Sequence, residues 1–139
     1  MGIRENMSCD HAVWFPHKRL SNAEAGALYL SLCDGDTSSV KAHPAIDAFY
    51  EELVSRHPQI DDISDDQVDD HDLCPWSIAF DRSDGHIIMC CIWSKADYVS
   101  VLLKSLAAKH GLALYDPQSE RIHYPGETSS GSKPWWKLW

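Results

Sequence analysis

The sequence predicts an α+β domain: a four- to five-stranded, mostly antiparallel sheet with about three helices packed mainly on one face. Three observations lead there. Short β-rich runs follow one another across turns of hairpin length, three segments repeat apolar residues at helical spacing, and the order is strand, helix, helix, strand, strand, helix, strand, strand. Grouped rather than alternating elements disfavour a parallel βαβ sheet. At 139 residues the chain suits one domain, here expected over 8–125.

The first run, Cys9 to Trp14, ends in Ala-Val-Trp and is stopped by Pro16. After the basic loop His17-Lys18-Arg19, Ser21 and Glu24 have the spacing of a capping box, so a helix is expected from about Ser21 to Leu32, with Ala25, Leu28 and Leu32 inward. Asp34-Gly35-Asp36 ends it. Pro44 suits the first turn of a second helix, whose stripe is Ile46, Phe49, Tyr50, Leu53 and Val54 and which His57-Pro58 closes. A connector follows over 58–75. Trp76 to Phe80 and His86 to Trp93 then read as paired strands across Asp81-Arg82-Ser83-Asp84-Gly85, with Gly85 in the left-handed position of the loop. Unbroken apolarity from Ile87 to Ile92 suggests an interior strand covered on both sides. Ser94 is expected to cap a third helix reaching His110, with Val99, Leu102, Leu103 and Leu106 inward and Gly111 at its C-terminus. Leu112 to Tyr115 and Ile122 to Tyr124 complete the sheet across the turn Asp116-Pro117-Gln118-Ser119.

Charge narrows the function. Twelve Lys and Arg face 21 Asp and Glu, a formal net charge of −9. A basic phosphate-gripping face is missing, so direct nucleic-acid binding is disfavoured and a basic protein partner favoured. Most of the excess sits in one place: Asp61, Asp62, Asp65, Asp66, Asp69, Asp70 and Asp72 occur with no Lys or Arg among them, and without these seven the chain holds 14 acids against 12 bases. The doublets recur every four residues, so on a continuous helix they would make one charged face with steps of about 6 Å. Like charges at that spacing oppose helix formation, and the free segment is expected to be loose or transiently helical. The strip reads as a solubilising loop, a partner-binding element or, least well, a divalent-cation site, because no chelating turn accompanies it.

Catalytic signatures are absent. No G-x-S-x-G, G-x-x-x-x-G-K or G-x-G-x-x-G occurs, and neither the eight histidines nor the five cysteines fall at zinc-ligand spacing, so no catalytic residue, metal or cofactor is expected. The enzyme alternative is a pocket using Cys90 or Cys91 with a histidine such as His86 or His123; alternation along a strand puts the two cysteines on opposite faces. The odd cysteine count reads as free thiols of a reducing compartment. With no membrane span and no apolar signal region, the expected location is cytoplasmic. Residues 1–7 read as a disordered leader and 126–139 as a flexible tail. That tail carries Trp135, Trp136 and Trp139, open to folding back, to anchoring a partner or to a weak contact with a membrane surface.

Several landmarks resemble a known family. Ser8-Cys9-Asp10-His11-Ala12-Val13-Trp14 matches an opening S-x-D-x-A-V-W, and Gly111-Leu112-Ala113-Leu114-Tyr115-Asp116-Pro117-Gln118 a closing G-L-x-x-Y-D-P-Q; Pro75-Trp76-Ser77 and Trp93-Ser94 lie between. Over roughly 7–122 the chain is similar to small acidic bacterial immunity proteins that neutralise antibacterial toxins, including those of type VI secretion. The resemblance implies a cytosolic, non-enzymatic protein that binds one cognate toxin, often a nuclease with a basic catalytic domain. It marks no inhibitory residues. The acidic strip, and the tail tryptophans as anchors, are the expected contact points.

Overall fold

The computed structural model describes residues 8–125, so the leader and the tail, with Trp135, Trp136 and Trp139, lie outside the described residues. Five strands form one antiparallel sheet: β1 (Ser8–Trp14), β2 (Asp81–Arg82), β3 (His86–Ile92), β4 (Ala113–Asp116) and β5 (Arg121–His123), in the order β2-β3-β1-β4-β5. The first strand of the chain thus becomes the middle of the sheet. Across the whole of β1 the partner is β3, with Ser8 opposite Ile92 and Trp14 opposite His86.

Alternation along the strands builds two cores. Val13, Ile87, Met89, Cys91 and Leu114 face one side, where they meet Ile46, Phe49 and Leu53 of α2 (Pro44–Arg56) and Val99, Leu103 and Leu106 of α4 (Ala96–Lys109). On the other side Ala12, Trp14, Ile88, Ala113 and Tyr115 meet Ala25, Leu28 and Leu32 of α1 (Asn22–Cys33). Two long helices therefore cover one face and a single helix the other. This explains the unbroken apolar run of β3, which is interior and buried on both faces. Each fully buried Leu, Ile or Phe contributes roughly 1.5–3 kcal/mol of transfer free energy.

The helix ends follow local chemistry. Glu24 N–H donates to the Ser21 hydroxyl at 3.1 Å and Ser21 N–H to the Glu24 carboxylate at 2.9 Å, closing the capping box. Pro44 opens α2 behind His43, whose Nδ1 accepts from Ala45 N–H at 3.0 Å. Gly111, at φ +73°, follows α4 in the left-handed conformation.

Five local expectations change. Trp76 to Phe80 is not a ladder strand: Trp76 keeps one bridge to Cys91, but its indole N–H donates to His57 O at 2.9 Å and its ring meets Phe80 edge-on, which draws the run off the sheet until Asp81. The pairing strand is Asp81–Arg82, so the loop shortens to Ser83-Asp84-Gly85. Gly85 is not left-handed; it is glycine because a Cβ there would lie 2.8 Å from Lys41 O. Ser94 caps nothing, since a 3₁₀ turn, Trp93–Lys95, carries the chain into α4, whose capping position is Lys95. The aspartate-rich connector, finally, takes a definite path with two short helical turns, Ile60–Asp62 and α3 (Asp65–Val68).

Candidate binding surface

The acidic segment is shaped by what lies between its carboxylates. Ile60 and Ile63 pack on the α2/α4 core, which forces Asp61 and Asp62 outward. Ile63 and Ser64 are extended (ψ 163° at both), and this break separates the first doublet from α3. The seven aspartates therefore do not share one helical face, contrary to the four-residue spacing. Ser64 and Gln67 form a second capping box, with Asp65 and Asp66 in the first turn, where unpaired N–H groups favour carboxylates. Asp69 ends α3, and Asp70 turns the chain by accepting from Asp72 N–H at 3.2 Å and Leu73 N–H at 3.3 Å. All seven side chains are exposed.

Both ends are tied down. At the start, Gln59 bridges the Tyr50 hydroxyl (2.7 Å) and Phe80 N–H (2.7 Å). At the finish, His57, at the C-terminal end of α2 and 7% exposed, binds Leu73 O through Nδ1 at 2.9 Å. Since a carbonyl only accepts, Nδ1 carries the proton, and Nε2 accepts from the Tyr98 hydroxyl at 2.7 Å. Lys95 pairs with Asp72 and holds its carboxyl below the usual range. One histidine thus joins α2, the acidic segment and α4.

Beside this anchored end stand exposed aromatic and aliphatic side chains. Trp93 (55% exposed) lies between Ile92, whose N–H donates to Pro75 O at 2.8 Å, and Lys95 on Asp72. Tyr98 (51%) shows the side of its ring left free by His57, and Val101 (70%) follows one turn along α4. Exposed carboxylates beside a large exposed indole make a surface with both charge and an apolar anchor. The sequence disguises Trp93 as the end of a buried strand. The signal is the adjacent Ser-Lys, where the strand stops and the 3₁₀ turn rotates the indole outward.

The cysteine and histidine candidates do not converge. Cys91 is fully buried in the α2/α4 core; Cys90 points to the opposite face and is partly covered. His123 lies on β5, three strand spacings or roughly 14 Å from β3. His86, four residues before Cys90 on one strand, is about 13 Å from it. It does meet Ser83 (Oγ to Nδ1, 2.6 Å) and, at 3.8 Å, Asp81. The resemblance to a hydrolytic triad ends there: His86 is 2% exposed, the acid is beyond hydrogen-bond distance, and Ser83 Oγ also accepts from Gly85 N–H at 3.1 Å. The trio closes the hairpin. Among the described residues no His, Cys, Asp or Glu side chains gather as metal ligands, and no helix is long and apolar enough to cross a membrane.

No protein-family model, curated protein or solved structure is matched by the chain. The sequence landmarks at 8–14 and 111–118 fall on β1 and on β4 with the turn after it. Those landmarks have structural duties here: Asp10 accepts from the Tyr29 hydroxyl at 3.1 Å, and Gln118 holds the Asp10 backbone from both sides, accepting from its N–H at 2.9 Å and donating to its carbonyl at 3.0 Å.

Proposed function

We propose that the protein is a non-catalytic inhibitor of the immunity type, cytoplasmic, which binds one toxin with a basic catalytic domain, a nuclease being the best fit. The observation that carries this reading is the acidic segment: seven exposed carboxylates on a backbone anchored at both ends beside the exposed ring of Trp93. Preordered carboxylates meet Lys and Arg that would otherwise hold phosphates, at little ordering cost on binding. Charge supplies rapid, selective encounter; the indole supplies slow release.

The test is co-expression with the product of the adjacent gene. A stable complex and rescue of growth are expected, with rescue lost when Trp93 is replaced by Ala and Asp65, Asp66, Asp69 and Asp70 by Asn. Absence of both complex and rescue overturns the reading.

A further inference from the structure

The sheet face away from the acidic segment carries a cleft of about 450 Å³ between the end of β1, α1 and the loop preceding α2. Its size falls in the range of small-molecule sites. Trp14, Leu20 and Leu28 of the α1-side core line it together with Phe15, which packs against the opposite core. Lys18 and Lys41 stand at the rim. We propose that this cleft binds a small organic anion, one carboxylate or sulfonate on a flat or short apolar body.

Charge is the first argument. In a chain of net charge −9, two lysines converge on one opening, and neither has a carboxylate within ion-pair distance among the described residues. The acid on the rim, Glu24, accepts Ser21 N–H at 2.9 Å and keeps its charge, which Lys18 helps to hold, so two cations face one anion. The opening therefore keeps a net positive charge beside an apolar lining. A polyphosphate would need more cations than these two; a single anionic group with an apolar body uses both features.

Preorganisation is the second. Phe15 stacks on the His43 ring (3.7 Å between centroids, 6° between planes), and His43 in turn caps α2. The lining stretch Ser38 to Lys41 is pinned where Lys41 O lies against Gly85, while His43 N–H donates to Asp84 O at 3.2 Å. Both parts of the lining are thus fixed before any ligand arrives, which spares the ordering cost of binding. The site is independent of the inhibitor reading, since no residue of the acidic segment or of the Trp93 shoulder lines the cleft.

The probe is 8-anilinonaphthalene-1-sulfonate, titrated calorimetrically and by fluorescence into the full-length protein, with neutral N-phenyl-1-naphthylamine beside it. One saturable site is expected. The double variant Lys18→Glu/Lys41→Glu should weaken the sulfonate by about tenfold or more, at roughly a few-fold per charge removed near the surface, and leave the neutral analogue unchanged. Ser31→Phe, which fills the cleft from α1, should abolish both. The proposal is overturned if native protein shows no saturable binding, if the double variant binds the sulfonate as well as native protein does, or if Ser31→Phe binds it undiminished. Native near-ultraviolet dichroism in each variant, checked alongside, separates loss of the site from loss of the fold.

Discussion

At the scale of single residues the most consequential side chain is His11. It is 2% exposed on the α2/α4 face of β1, and neither ring nitrogen has a hydrogen-bond partner among the described residues. Burial pushes its pKa below the ordinary histidine value, with Lys104 and His123 adding in the same direction and Asp116 and Asp10 opposing. His86 is depressed likewise, by burial against the pull of Asp81. The unfolded chain therefore takes up protons near pH 6.5 while the folded one does not, so stability is fully present above about pH 6.5 and falls as pH drops below it. Each such histidine removes up to about 1.4 kcal/mol per pH unit in that window. His11→Leu, which deletes an unpaired polar ring, should be no less stable than the parent at pH 7.5 and should gain on it by about 1 kcal/mol at pH 5.5. Urea denaturation at the two pH values measures this, and a difference that stays constant or reverses would contradict it.

Among the elements, the hairpin and the anchored connector matter most. Gly85→Ala places a methyl 2.8 Å from Lys41 O, and backbone cannot step aside as a flexible side chain can, so a loss of about 1–3 kcal/mol is expected in chemical denaturation. Tyr98→Phe leaves His57 Nε2 without its donor. Amide exchange should then quicken over 60–73 with the strands unchanged; equal protection in variant and parent would mean that the isoleucines alone hold the segment. These two sites also show how far the sequence was legible. Period and capping chemistry located α1, α2, α4 and β3, because those signals are local: Ser21 and Glu24, Pro44, and the run from Ile87 to Ile92. Trp76 to Phe80 misled because a residue 19 positions earlier, His57, supplies the carbonyl that takes the indole. Gly85 misled similarly, since its neighbour Lys41 is remote in sequence. The aspartates were visible at once, whereas the shoulder of Trp93 and Tyr98 depended on the turn after β3 and on the His57 bridge.

For the whole molecule the question is what a −9 charge does once six of those nine charges are exposed on one anchored segment, with no ion pair among the described residues. Asp72 differs from the rest because Lys95 holds it. Replacing Asp61, Asp62, Asp65, Asp66, Asp69 and Asp70 by Asn takes the formal charge from −9 to −3 and leaves that pair intact. Asp70 is a partial exception, since its Oδ1 accepts two backbone N–H groups, but the Asn amide oxygen can accept both. The fold should therefore persist, with a stability change near zero or slightly positive as like-charge repulsion is relieved. Association with the proposed basic partner should behave differently. Long-range attraction accelerates encounter and is screened within about 10 Å at 0.1 M salt, so the association rate should fall by at least tenfold at low salt and its salt dependence should flatten. Dissociation should change much less, because in the proposed complex desolvated contacts at Trp93, rather than rim charge, would govern release. Trp93→Ala should show the reverse pattern, faster release at nearly unchanged association. Surface plasmon resonance of the parent and both variants from 50 to 500 mM salt separates the two contributions. If the asparagine variant retains the parent's association rate and salt slope, the acidic segment does not face the partner and the interface lies elsewhere on the domain.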